Sequence, residues 1–299
     1  MGICDDRVVI VTGAGRGLGR AHALTFAEAG ARVVVNDIGA SLTGEGRDRS
    51  PAADVVDQIE AAGGEAIVSG HDVSDWDEAG ALVQQALDRW GRLDTLVCNA
   101  GIVRDRMLVN MSVDEWDAVM RVHLRGTFCP VRHAIDHWRR ESKAGNDPMA
   151  RIVTTSSGAG LFGSVSQANY SAAKAGIATF TVCAAAELHR YGILVNGIAP
   201  SARSRMTETA FADMMRRPDA GFDAMDPANT SPAVVWLGSG RCDVTGRIFE
   251  VAGGEISVVD GWQHGNPVDR GRRLTPEEIG PIVTGLIDDA PDPAPVYGG

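Results

Sequence analysis

Short apolar runs recur along the chain at Val8 to Val11, Arg32 to Val35, Ala66 to Ser69, Leu93 to Cys98, Arg151 to Thr155, Ile193 to Ile198 and Arg247 to Val251. They are continuous rather than alternating, as strands buried on both faces require. Between most of them apolar positions repeat at helical spacing, as in Leu18 to Ala29, Trp76 to Trp90, Trp116 to Trp138 and Ala172 to Leu188. Strands alternating with helices predict an α/β fold, a Rossmann-type doubly wound parallel sheet of about seven strands.

The pattern breaks in two places, Gly39 to Pro51 and everything after Gly254. The first reads as an extended loop after the second strand. The second divides the chain into one large domain over 1–255 and a C-terminal extension over 256–299. Within the extension, Thr275-Pro276-Glu277-Glu278 combines a capping box with proline at the first helical position, and Pro281 is expected to interrupt or kink that helix soon afterwards. Ala290 to Gly299, rich in proline, is expected to be a flexible or draped arm.

A chain of 299 residues buries a sizeable core without metals or disulfides. Its cysteines, Cys4, Cys98, Cys129, Cys183 and Cys242, are odd in number and never spaced C-x-x-C, which points away from a disulfide framework or a zinc site and toward a reducing cytoplasm. No apolar run is long enough for a membrane span, and Asp5 and Asp6 stand where a signal peptide would be basic and then apolar. The net charge of -11 argues against a nucleic-acid partner. The partner to expect is a small molecule, with no membrane role.

Directly after the first strand comes Thr12-Gly13-Ala14-Gly15-Arg16-Gly17-Leu18-Gly19, opening a helix. Glycines let a turn tighten against a pyrophosphate, while the helix N-terminus offers N–H groups and a positive dipole. A lone glycine run is weak evidence, but here strand, turn, helix and strand are followed by an acid. That acid, Asp37, stands 18 residues beyond Gly19 at the end of the second strand, near the ~20 expected for a carboxylate that holds the adenosine ribose hydroxyls. Its charge repels a 2′-phosphate, which favours NAD over NADP. Arg16 pulls the other way, since a guanidinium in the turn could reach a phosphate.

Tyr170 and Lys174, four apart on a helical stretch, share a face, so an ammonium can sit near a phenol and favour its ionised form. Of the 28 basic residues, only Lys143 and Lys174 are lysine. In a chain so biased toward arginine, a lysine at this spacing suggests that a compact ammonium is needed there. The pair suits proton transfer to or from an alcohol.

The glycine pattern, Asn99-Ala100-Gly101 after the fourth strand, and Ser157 followed by Tyr170-Ser171-Ala172-Ala173-Lys174 together resemble the short-chain dehydrogenase/reductase family, from about Arg7 to Gly254. The resemblance implies hydride transfer between a nicotinamide cofactor and a secondary alcohol or ketone. It implies that Tyr170 is the acid/base and that Ser157 hydrogen-bonds the substrate oxygen, with Ser156 as a competing assignment. Lys174 and Tyr170 then meet the nicotinamide ribose, Asp72 and Val73 contact adenine, and Asn99, Ala100, Gly101 and Pro200 pack beside the cofactor. Two positions depart from the family's pattern. Ala199-Pro200-Ser201 replaces the common Pro-Gly, and His123 stands where a relay asparagine is usual. His123 has three readings open: a proton relay, a holder of water linking Lys174 to solvent, or a buried spacer.

Asn36-Asp37-Ile38-Gly39, Val122-His123-Leu124-Arg125-Gly126, Gln167-Ala168-Asn169-Tyr170 and Ser204-Arg205-Met206-Thr207 resemble one subgroup, the (3R)-hydroxyacyl-CoA dehydrogenase portion of peroxisomal multifunctional enzymes and its stand-alone bacterial relatives. The implied substrate is a 3-hydroxyacyl thioester, with a steroid side-chain thioester, a hydroxysteroid and a ketoacyl reduction with NADPH as alternatives. A non-catalytic dinucleotide sensor on the same fold is the rival from another class. Substrate contacts are expected from Ser201 to Thr230, which mixes Met206, Phe211, Met214, Met215, Phe222 and Met225 with charges. The resemblance also implies a homodimer or homotetramer built on the helices Trp116 to Trp138 and Ala172 to Leu188.

Overall fold

The computed structural model describes residues 2–203, 215–259 and 261–297. Strands β1 (Val8–Thr12), β2 (Arg32–Asn36), β3 (Glu65–Ser69), β4 (Thr95–Cys98), β5 (Arg151–Thr155), β6 (Leu194–Ser201) and β7 (Ile248–Ala252) lie at the expected runs and pair in parallel. A further strand, β8 (Glu255–Val259), adds antiparallel to β7. The order is β3-β2-β1-β4-β5-β6-β7-β8.

Every β1 residue is buried because alternate side chains enter different cores. Val9 and Val11 pack with Phe26, Val35 and Ile59 on one face, while Val8 and Ile10 pack with Leu82, Leu96 and Trp138 on the other. Two apolar faces are what make such a strand read as an unbroken apolar run. By contrast β8 leaves Ile256 and Val258 59% and 51% exposed. It is held by its ladder with β7 rather than by core, so its sequence carries no such run.

The helices are α1 (Gly17–Glu28), α2 (Ser50–Ala61), α3 (Trp76–Trp90), α4 (Val113–Met120), α5 (Gly126–Lys143), α6 (Gly158–Phe162), α7 (Ala168–Leu188), α8 (Ser231–Gly238) and α9 (Pro276–Asp288). Three expectations need correction. The loop after β2 ends earlier than expected, because α2 starts at Ser50 and buries Pro51, Ala52, Val55, Val56 and Ile59 as one stripe. The helix expected over Trp116 to Trp138 starts earlier, at a Ser112–Glu115 capping box, and is interrupted by a π-helical turn over Arg121–Arg125. In the extension, α9 runs on through Pro281, so of the two expected outcomes, interruption or kink, the interruption does not occur. The proline removes one intrahelical hydrogen bond, and a helix with no buried residue has room to bend around the ring.

The C-terminal arm drapes back over the body. Tyr297 donates its N–H to the Gly163 carbonyl (3.2 Å) and accepts from Val165 N–H (2.9 Å). Among the described residues no helix is long and apolar enough to cross a membrane. The order reverses between β1 and β4, so their two connections leave the sheet in opposite directions and open a crevice at the strands' C-terminal ends.

Candidate active site

A cleft of about 590 Å³ occupies that crevice. Its lining contains the residues that the sequence marked for catalysis or cofactor binding: Gly13, Arg16, Gly17, Leu18, Gly19, Asp37, Asp72, Val73, Asn99, Ala100, Gly101, His123, Ser157, Tyr170, Lys174 and Pro200.

The turn between β1 and α1 takes its shape from glycine. Gly13 and Gly17 adopt φ of +63° and +53°, which side chains disfavour, and a Cβ on Gly13 would stand 2.7 Å from the Ala100 Cα. Thr12 and Asn99 fasten the turn to the end of β4. The Thr12 hydroxyl accepts from the N–H of Asn99 (2.9 Å) and of Ala100 (3.1 Å), and the Asn99 amide donates to the carbonyls of Thr12 (3.0 Å) and Gly13 (3.2 Å). Asn99 thus builds the cleft wall as well as lining it. Helix α1 starts with no side-chain cap and no acidic residue in its first turn, so its leading N–H groups and dipole stay available to an anion.

Asp37 is tied into the same turn. One carboxylate oxygen accepts from Gly15 N–H (2.8 Å) and the other from Gly39 N–H (2.7 Å), which leaves further lone pairs for ribose hydroxyls. Arg16 has an acid of its own nearby. Hydrogen bonds from Ser50, and then the charge of Arg16, hold Asp48 below the usual carboxylate range. Further along, Asp72 accepts from the hydroxyl and N–H of Ser74 and pairs with Arg121 at 2.9 Å. Burial is the largest single influence on Asp72 and pushes it up, but these partners together bring its carboxyl below its ordinary value.

The residues with acid–base chemistry gather at the other end. Ser157 caps the short α6, its hydroxyl accepting from Ala159 N–H (3.2 Å), and is close enough to the Tyr170 phenol to favour its ionised form. Ser156 turns the other way, into the protein, donating to the Lys174 carbonyl (2.9 Å). The Lys174 ammonium donates to the Thr155 carbonyl (2.6 Å) and lies 5.6 Å from the centre of the Tyr170 ring. Burial pulls Lys174 down to about 7, opposed by Cys98, and pushes Tyr170 up to about 12, opposed by Ser157. The reading from spacing, that the ammonium would lower the phenol, therefore meets a larger opposing effect, the desolvation of both groups.

His123 sits in the π turn, edge-on to Tyr170 with ring centres 5.2 Å apart. Its Nε2 is 2.7 Å from the Ile102 carbonyl oxygen and 3.1 Å from the Ile102 nitrogen. The shorter contact assigns the proton to Nε2, leaving Nδ1 a buried acceptor without a hydrogen-bond partner. Burial, then the nearby Lys174 charge, lowers its pKa to about 3, so the ring is neutral at physiological pH. That opposes the relay reading and leaves the other two.

A dinucleotide fits these residues. The uncapped helix end and the glycine cradle would suit its phosphates, Asp37 would suit ribose hydroxyls, and the buried Thr155 hydroxyl, which makes no hydrogen bond among the described residues, would suit a polar edge. Sequence reasoning missed Arg104, which lines the cleft beside the Ser41 to Gly44 stretch, and gave no role to Asn169. Asn169 is fully buried and reaches the carbonyls of Arg104 (3.0 Å) and Glu115 (3.2 Å). The Gln167-Ala168-Asn169-Tyr170 stretch marks the position in the sequence without revealing these partners. Of the expected substrate segment, Met215 is buried and Phe222 is 67% exposed, while Met206, Phe211, Met214 and the Ser204 to Thr207 stretch lie outside the described residues.

Comparison with known proteins agrees with this geometry. The model of the family described as short chain dehydrogenase matches residues 7–215. The chain is 44% identical over 279 residues to peroxisomal multifunctional enzyme type 2 of Mus musculus, covering 92% of this chain but 36% of that protein. It is also 44% identical over 262 residues to the hydroxyacyl-CoA dehydrogenase ChsB1 of Mycobacterium tuberculosis, covering 85% of this chain and 80% of that one. A crystal structure of a short chain dehydrogenase from Mycobacterium avium superposes with a TM-score of 0.90 at 58% identity over 100% of both chains. With the family match spanning most of the chain and its motif residues gathered in one cleft, the protein belongs to the short chain dehydrogenase family.

Proposed function

We propose that the protein is an NAD-dependent oxidoreductase that converts a 3-hydroxyacyl-CoA to the 3-ketoacyl-CoA. The observation that carries this reading is the convergence of Ser157, Tyr170 and Lys174 at one end of a cleft whose other end presents the glycine turn and Asp37. The bound nicotinamide would accept hydride from the substrate's carbinol carbon. Ser157 orients the substrate oxygen, Tyr170 takes its proton, and Lys174 in its charged form makes the phenolate accessible. Asp37 supports NAD over NADP by its charge at the ribose.

The thioester substrate rests on the relatives named above, with a steroid side-chain acyl-CoA inside the same class. Within this reading residues 1–255 carry catalysis and 256–299 form an extension. The protein works in the cytoplasm as a homodimer or homotetramer, and apolar side chains left exposed on α5 and α7, Phe128 at 44% and Val182 at 50%, support contact between copies. Assay of the purified protein against hydroxyacyl-CoAs of graded chain length, free hydroxysteroids and ketoacyl thioesters tests it. NADH formation from the hydroxyacyl-CoAs is expected. Turnover of only the free steroids, or only ketoacyl reduction with NADPH, selects another reading.

A further inference from the structure

The segment between β2 and α2 is a closed loop with a pinched neck. Asp48 N–H donates to the Ile38 carbonyl (2.9 Å), and Gly39 adopts φ +69° where its backbone meets Asp48. The tip is tied to itself: Ser41 N–H donates to the Glu45 carbonyl (2.8 Å), Gly44 N–H to the Ser41 carbonyl (3.1 Å), and Glu45 N–H to the Ser41 hydroxyl (3.1 Å). A short neck under a self-bonded tip makes the loop a compact unit.

This unit crosses the cleft. Its inner side, including Leu42, Thr43 and Gly44, lines the cavity that also holds the glycine turn and Tyr170, while residues 45–49 face solvent. It lands on the segment after β4. The Leu42 carbonyl accepts from Val103 N–H (3.2 Å), and the Arg104 guanidinium donates twice to the Thr43 carbonyl, at 3.0 and 2.8 Å, with Glu45 at 3.5 Å.

The landing side is fixed. The Arg104 carbonyl is held by fully buried Asn169, and Arg106 N–H donates to the Ser166 carbonyl (2.7 Å). The Ile102 backbone meets His123 Nε2 on the opposite side. Arg104 is therefore a firm post, and on its far side the loop, over residues 43–47, is tied to α3 among the described residues only at the exposed ion pair of Arg47 with Glu78 (3.1 Å).

We infer that Arg104 is a positioning residue that latches the 38–49 loop over the dinucleotide, so that release of the cofactor requires this latch to open. The inference rests on the proposed reading of the cleft as an NAD site. It follows from geometry: a ligand running from the glycine turn toward Tyr170 passes beneath the loop, and every bond holding the tip to the Ile102 to Arg104 side involves Val103 or Arg104. A charge-assisted, two-pronged hydrogen bond is the strongest of these.

The test is the dissociation rate of NADH from the full-length protein, read by energy transfer from tryptophan to NADH after displacement with excess NAD. Arg104→Ala should release NADH about ten-fold faster with little change in association rate, and Arg104→Lys should fall between. Glu45→Ala, on an exposed side chain that the fold does not need, should speed release about two-fold. In the parent protein NADH should also slow hydrogen exchange of the Val103 amide. Parent-like release from folded Arg104→Ala, or Val103 exchange indifferent to NADH, overturns the latch. Failure of the parent to bind either NAD or NADH overturns the proposed function instead.

Discussion

Asp37 carries two duties. Its oxygens hold the backbone N–H groups of Gly15 and Gly39, and in the proposed reading its negative charge faces the ribose of NAD. Asp37→Ser is therefore expected to do more than shift cofactor choice. KM for NAD should rise and use of NADP should improve, and the urea midpoint should report a loss of about 1–2 kcal/mol as two amides lose a charged acceptor. Unaltered dinucleotide preference removes the basis for naming NAD. At this scale the sequence was most informative where a residue's chemistry is local. Glycine after a strand, an acid at the next strand's end, and a tyrosine four before a lysine all landed in one cleft. The protonation of Tyr170 and Lys174 was not readable, because it depends on how much water the surrounding fold excludes. Asn169 was equally opaque, since its partners Arg104 and Glu115 come from distant parts of the chain.

At the scale of elements, the π turn at Arg121–Arg125 matters most for the site. It places His123 against the Ile102 backbone, under the segment that holds the loop over the cleft. A neutral ring tied to a carbonyl predicts that His123→Asn, whose amide can still donate, retains most activity and the shape of the pH profile. His123→Leu should lose on the order of ten-fold, because the Ile102 carbonyl is left without its donor. If Asn fails as badly as Leu and one limb of the pH–rate profile disappears, the relay reading returns. Periodicity could not foresee this turn, because a single inserted residue shifts helical phase without disturbing the apolar pattern on either side. The loop from Gly39 was visible as a polar break, but its folding back across the cleft was not, being built from backbone hydrogen bonds that any sequence could offer and from Arg104, 61 residues beyond Thr43 in the chain. Strand β8 escaped for a related reason, as a ladder with β7 needs no apolar side chains.

For the molecule as a whole, the doubly wound sheet was readable because both faces of its central strands are buried, which forces long apolar runs and helical intervals between them. The same burial sets the response to acid. His22 and His123 are buried, and desolvation, the leading cause for each, lowers both to about 3. Above pH 6.5 neither the native nor the unfolded chain carries a proton on these rings. As the pH falls through 6.5 the unfolded chain takes up protons that the native state refuses, so stability drops, by about 2 kcal/mol for each ring at pH 5. Urea unfolding at pH 7 and pH 5 should show this loss, and His22→Gln should recover part of it; equal midpoints at the two pH values contradict it. Whether this cleft oxidises a hydroxyacyl thioester with Tyr170 as the proton acceptor is decided by NADH formation from a 3-hydroxyacyl-CoA by the parent protein and by Tyr170→Phe, with NAD binding measured on both. The parent should form NADH, and the variant should bind NAD normally yet lose roughly 10²-fold or more in turnover. No NADH from the parent with any hydroxyacyl-CoA, or parent-like turnover by the variant, contradicts the account.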